Sequence, residues 1–366
     1  MKYILQVFTG SWHDGHAAPE GIVRKIGEIS SRIPVDRVII GWNTDPSVYR
    51  EIGAYLRGAG IRMLLWLPVF SETDRIADTD GAADIFGKPV PRPDRPDAEG
   101  FVFRCPSSPM NLRAVKEIYE TYFAGCGFDG VFLDRIRSQS FLSGVPGVLS
   151  CGCERCREAF RKRGVDIDAI AKLYGEKKDA FFDMASCPAD GRFVLMEETA
   201  QRFFDAKEEI IADAVAELSG YFREKGLIVG LDLFAPAVSR FVGQNYALLA
   251  AHADFIKPML YRRTDAPAGI GYEYALFARY APGARGRAAF SMDRAFLETQ
   301  LEALQNVPCG RYPGIEVCYD AELVRTDAGY ITESLSAVRD FGLEGAALCW
   351  DVTEAPEANL EAVYQL

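Results

Sequence analysis

The chain has 366 residues, 49% of them apolar and 12% aromatic, enough to bury a large core. A formal charge of -11 and a pI near 5.0 exclude nucleic acid and anionic membrane as expected partners, since both are held through positive patches. Nine cysteines do not make a secreted disulfide framework, no targeting segment is visible, and no apolar stretch nears the roughly 18 residues of a membrane span, so a cytoplasmic home is expected.

Short apolar runs rich in β-branched and aromatic residues alternate with longer stretches of helical period. In chain order, strands are expected at 4–8, 37–42, 63–69, 130–134, 228–234, 255–261, 314–318 and 346–350. Amphipathic helices are expected at 20–32, 46–59, 109–124, 193–225, 244–252, 294–306 and 327–341. Gly58, Gly60 and Gly226 stand where left-handed C-caps would stop helices. Such alternation gives either a doubly wound sheet or a (β/α)8 barrel. After the first strand, Thr9, Gly10, Ser11 and Trp12 replace the Gly-rich phosphate turn of a dinucleotide-binding sheet. The expected fold is therefore a single α/β domain, a (β/α)8 TIM barrel over 1–366.

Two connections are long: 71–105 after the third strand and 135 to about 192 after the fourth. Both leave the C-terminal face, where barrel active sites are built. The second carries an inserted Cys-containing helical segment at about 138–192.

The strand ends then carry Trp12 and His13, Trp42, Trp66, Asp134, Asp232, Tyr261, Glu316, and Trp350 with Asp351. All four tryptophans fall at one end, where flat aromatic faces suit the apolar faces of sugar rings. An aspartate closing an apolar buried strand costs several kcal/mol unless paired. Asp134 therefore either has a structural partner, Arg135 or Arg137, or serves chemistry, whereas Asp129 at the start of that strand caps the barrel bottom. Asp232 ends the neighbouring strand, roughly 5 Å away, near the separation of a retaining glycosidase pair. Glu316, across the barrel, is a second candidate partner. Lys257 shares a face with Tyr261 on the sixth strand. It is a buried cation paired with a carboxylate, a ligand for substrate hydroxyls, or a Schiff-base lysine.

Cys151, Cys153 and Cys156 pack three thiols into six residues before a helix, and Cys105 supplies a fourth from the preceding long loop. Four thiols fit a closed tetrahedral structural zinc site. Cys126, Cys187, Cys309, Cys318 and Cys349 are expected to be ordinary buried thiols. His13 and His16 are too few for a catalytic metal, and no organic cofactor is expected.

The run from Gly127 to Arg137, followed by Cys-x-Cys-x-x-Cys, resembles uncharacterised bacterial glycoside-hydrolase-like TIM-barrel families. Its strand motif is similar to that of polygalactosaminidase-type barrels, where the aspartate matching Asp134 is catalytic. The quartet Cys105, Cys151, Cys153 and Cys156 resembles the structural zinc site of glycoside hydrolase family 42 β-galactosidases. Met259, Leu260 and Tyr261 resemble a strand of chitinase-like barrels, but the chitinase signature would place Glu at Ile136. The resemblance implies sugar chemistry. It implies a glycoside hydrolase using Asp134 with Asp232 or Glu316, with Trp12, His13, Trp42, Trp66, Lys257, Tyr261, Trp350 and Asp351 around a carbohydrate substrate. A Schiff-base aldolase on Lys257 and a non-catalytic sugar-binding barrel are the alternatives.

Overall fold

The computed structural model describes residues 1–14, 18–90, 101–186, 193–281 and 290–366; His16 and Cys187 lie outside the described residues. Eight strands form the barrel: β1 (Lys2–Trp12), β2 (Val35–Asn43), β3 (Arg62–Pro68), β4 (Gly130–Asp134), β5 (Ile228–Phe234), β6 (Phe255–Met259), β7 (Gly314–Glu316) and β8 (Gly345–Cys349). Neighbouring strands pair in parallel from β1 to β6, and β8 returns to β1 with Lys2 opposite Gly345. The circle closes where β7 meets β8 and where Gly314 meets Met259 of β6. The expected (β/α)8 barrel is what forms.

The helices pack outside the strands for the reason their periodicity gives. In Pro46–Gly58, Asp45 caps the N-terminus by accepting from Ser47 N at 2.8 Å, and Val48, Tyr49, Ile52 and Leu56 make one buried stripe. Gly60 and Gly226 take the left-handed φ that stops their helices, +70° and +78°. Asp129 accepts from Met63 N at 2.8 Å, tying the bottom of β4 to β3 as expected.

Inside, large rings fill the lower barrel. Phe132 and Phe255 stack at 6.0 Å, and Arg37 lies below, 4.6 Å from the Phe255 ring and 5.2 Å from Tyr312. Gly230 makes room for this layer, since a Cβ there would come within 2.2 Å of the Phe255 ring. A second apolar core sits under the 141–204 segment, built from rings such as Phe141, Phe160, Phe182, Phe203, Phe241 and Phe277.

Several boundaries differ from expectation. The 109–124 helix is regular only over Pro109–Ile118 and loosens into wider and then tighter turns. The 193–225 helix begins at Glu198, because Val194–Leu195 pairs with Met184–Ser186 in a small antiparallel ladder. Helices Ile167–Lys177, Ile270–Tyr280 and Glu357–Tyr364 also form. Among the described residues, no helix is long and apolar enough to cross a membrane.

Candidate active site and cysteine centre

Strand alternation turns Gln6 and Phe8 on β1, Trp66 on β3, Phe132 and Asp134 on β4, Asp232 on β5 and Lys257 on β6 toward the barrel axis. Leu133 of β4 faces Leu231 of β5, so Asp134 and Asp232 follow next in register on strands about 4.8 Å apart. The two carboxylates sit in different surroundings.

Asp134 is held by N–H donors. Trp66 Nε1 donates to its Oδ2 at 2.9 Å and the Arg135 amide to its Oδ1 at 2.5 Å. The Arg135 guanidinium, the structural partner weighed from the sequence, stands 3.7 Å away. Arg135 has a left-handed φ of 55°, and its guanidinium is stacked 5.0 Å from the Trp42 ring and 3.6 Å from Phe101.

Asp232 is 3% exposed and faces Lys257, which is fully buried, with Oδ2 3.0 Å from Nζ. The ammonium also donates to Gln6 Oε1 at 2.8 Å and Tyr261 Oη at 3.0 Å. Asp232 Oδ1 is buried without a hydrogen-bond partner. Burial pushes Asp232 up to about 7 against the pull of Lys257, and repulsion from Asp134 adds to the rise. Burial alone would discharge Lys257, but the Asp232 charge reverses this and holds the ammonium above its usual value.

A staple fixes the frame of this pair. Gln244 accepts from Phe234 N at 2.8 Å and donates to the carbonyls of Ile136 and Asp232, both at 3.3 Å.

Glu316 lies apart in a closed network. It is fully buried and accepts from Arg263 N at 2.7 Å, Thr264 Oγ1 at 3.4 Å and the Tyr330 hydroxyl. Burial raises its pKa against those donors. Asp351 caps the turn after β8 through Thr353 N at 2.9 Å and accepts from Phe8 N at 3.3 Å. It borders a groove of about 830 Å³ beside the mouth, also lined by Phe8, Thr9, Arg24, Lys25 and Thr353.

The tryptophans divide. Trp42 packs edge-on to Trp66 at 5.1 Å and lies 6.2 Å from Trp12. Trp12 is spent on packing, its indole donating to Glu72 O at 3.0 Å. Trp350 lies 6.3 Å from Tyr261, and the indole nitrogens of both Trp350 and Trp42 are buried without a partner. His13 turns away to Thr44 Oγ1 (2.7 Å) and the Tyr122 ring.

Two residues escaped the sequence reasoning. Phe8, 42% exposed, stands at the mouth braced edge-on by Trp42 (5.1 Å) and Trp66 (6.0 Å). Gln6 holds Lys257; its signal was a lone amide inside the apolar first strand.

The four cysteines converge as expected: the sulfurs of Cys105, Cys151, Cys153 and Cys156 all lie within 4.8 Å of one another. Cys105 Sγ is 3.4 Å from both Cys153 and Cys156. Metal–sulfur bonds of about 2.3 Å in a tetrahedron require sulfurs about 3.8 Å apart, so the quartet fits a structural ion. Cys153 precedes the Glu154–Lys162 helix and Cys156 lies in its first turn. Gly152 lets the loop pass, because a Cβ there would meet Asp84 O at 2.2 Å. Cys318 and Cys349 are buried as expected. Cys126 and Cys309 are instead half-buried, set in the turns at the barrel bottom that precede β4 and β7.

No protein-family model and no curated protein sequence matches the chain. Solved structures of glycoside hydrolase-type barrels share its fold. The glycoside hydrolase domain of PgaB (BpsB) from Bordetella bronchiseptica superposes with a TM-score of 0.65 at 14% identity, over 99% of this chain and 97% of that one. The catalytic domain of beta-amylase from Paenibacillus polymyxa gives 0.58 at 12%, over 99% and 97%. Alpha-L-fucosidase isoenzyme 2 from Paenibacillus thiaminolyticus gives 0.54 at 12%, over 100% of this chain and 48% of that one.

Proposed function

We propose that the chain is a glycoside hydrolase acting on a carbohydrate at the C-terminal mouth of the barrel. The observation that carries this reading is the pair of inward carboxylates on adjacent strands, held in unlike surroundings. Asp134 accepts two N–H bonds that orient it as the nucleophile. Asp232, lifted to about 7 by burial, holds the proton for the leaving oxygen. Placement on neighbouring strands favours the short separation of about 5–5.5 Å used for retention of configuration, with Asp134 as nucleophile. Phe8 and Trp350 offer ring faces and edges to the sugar. Glu316 is left to a structural role by its closed hydrogen bonds. The Schiff-base alternative needs an amine open to a carbonyl substrate, whereas Lys257 is fully buried with its Nζ engaged by Asp232, Gln6 and Tyr261.

The test is release of reducing sugar from a panel of oligosaccharides and aryl glycosides. Asp134→Asn should lower activity at least about 10³-fold while folding like the wild type. A folded Asp134→Asn protein with full activity would remove Asp134 from the mechanism. We propose separately that the four thiols hold one zinc ion, which fixes the cysteine loop and takes no part in hydrolysis.

A further inference from the structure

A divalent ion held by four thiolates leaves two negative charges in a buried loop. Ala83 N approaches Cys151 Sγ at 3.5 Å and Ser107 Oγ approaches Cys156 Sγ at 3.3 Å, but neither brings a charge. The arginines of the loop are engaged elsewhere. Arg155 pairs with Asp80 at 2.5 Å, and Arg157 with Asp168 at 2.6 Å and the carbonyls of Gly152 and Ile85.

Behind the loop lies a cation that the proposed hydrolysis does not use. Lys207, in the first half of the Glu198–Glu224 helix, is 3% exposed. Its ammonium donates to Val148 O at 2.5 Å and Phe241 O at 3.1 Å. Both acceptors are neutral, and Val148 stands only three residues before Cys151. The adjacent Glu208 is taken by Arg240 at 2.8 Å and Asn245 at 2.9 Å. A buried ammonium with no countercharge costs several kcal/mol. Burial draws Lys207 down to about 7, and the charge opposing this most is that of Cys151, ahead of Glu208. The stem runs beside Gly243, whose missing Cβ leaves room for it: a Cβ there would come within 3.2 Å of the stem.

We propose that Lys207 is the internal countercharge of the metal–thiolate centre, a positioning residue that pins the Val148 end of the cysteine loop and offsets thiolate charge. This rests on the four thiols binding a metal. Each charge then supplies what the other lacks: the ammonium gains an anion, and the centre sheds part of its excess.

The experiment is zinc affinity by chelator competition on the full chain, with cadmium–thiolate absorbance as a second readout. Lys207→Met keeps the stem and removes the charge. It should bind zinc at least about tenfold more weakly, the scale of supporting groups around metal ligands. A smaller loss in folded Lys207→Met overturns the proposal and leaves the metal reading intact. A wild-type chain that takes up neither zinc nor cadmium overturns both. Should Lys207→Met fail to fold, ¹⁵N-lysine side-chain NMR of the wild type decides. Stripping zinc must lower the titration midpoint of Lys207, and a midpoint indifferent to zinc refutes the countercharge.

Discussion

Replacing Lys257 by Met retains the volume of the stem and deletes an ammonium that makes three contacts, to Asp232 (3.0 Å), Gln6 (2.8 Å) and Tyr261 (3.0 Å). Asp232 Oδ1 already lacks a partner, so the variant strands the whole carboxylate in the barrel. Removing one member of a buried ion pair costs about 3–5 kcal/mol, and Gln6 Oε1, left without a donor, adds about 1–3 kcal/mol. Asp232 limits the damage by taking up a proton, since the wild-type midpoint of about 7 is held down by Lys257 and rises once that charge is deleted. The expected loss is therefore about 4 kcal/mol or more at pH 8 and markedly less at pH 5, measured by urea denaturation. Adding Asp232→Leu to Lys257→Met should recover at least half of the loss at pH 8, since the doubly neutral interior strands no charge. A loss under about 1 kcal/mol at pH 8, or one equal at both pH values, would refute the reasoning.

Four further outcomes follow from the geometry. Asp232 has a folded-state pKa of about 7 against an ordinary 3.8, so its contribution to stability is present below 3.8 and lost as pH rises to 7. Urea midpoints between pH 4 and 7 should show that decline in the wild type and less of it in Asp232→Asn. Phe8→Ala should weaken oligosaccharide binding about tenfold with only a modest loss of stability, because the ring is 42% exposed; calorimetric titration measures it. If the thiols hold the proposed zinc, elemental analysis should find about one per wild-type chain and none in Cys153→Ser, which should also unfold at lower denaturant. Gly152→Ala, whose new Cβ would strike the Asp84 carbonyl, should lower both metal content and stability, the latter by about 1–3 kcal/mol.

The strands were legible because each barrel strand is an apolar run too short for a helix. Ile270–Tyr280 was not, since aromatics on several faces blur its helical period. Val194–Leu195 was absorbed into the following helix because a two-residue strand has no period to detect. The convergence of the four cysteines was legible from spacing, and the inward place of Asp134 at the end of β4 from the apolar run before it. Which tryptophan faces the mouth was not. The backbone takes left-handed φ at Trp12 (41°) and Arg135 (55°), so alternation fails at the strand ends that border the proposed site. Glu316 shows the same limit from another side: sequence shows a carboxylate at a strand end, but not the tyrosine and amide that close around it.

Gln244 has a consequence for how such a barrel diversifies. One side-chain amide grips three main-chain groups at the ends of β4 and β5, so the gap between Asp134 and Asp232 is written into the backbone. Residues lining the mouth, Phe8, Trp350 and the groove beyond Asp351, can then be exchanged to admit new ligands without resetting that gap. For the proposed hydrolase, substrate range and reaction stereochemistry become separately adjustable, with a single glutamine guarding the second.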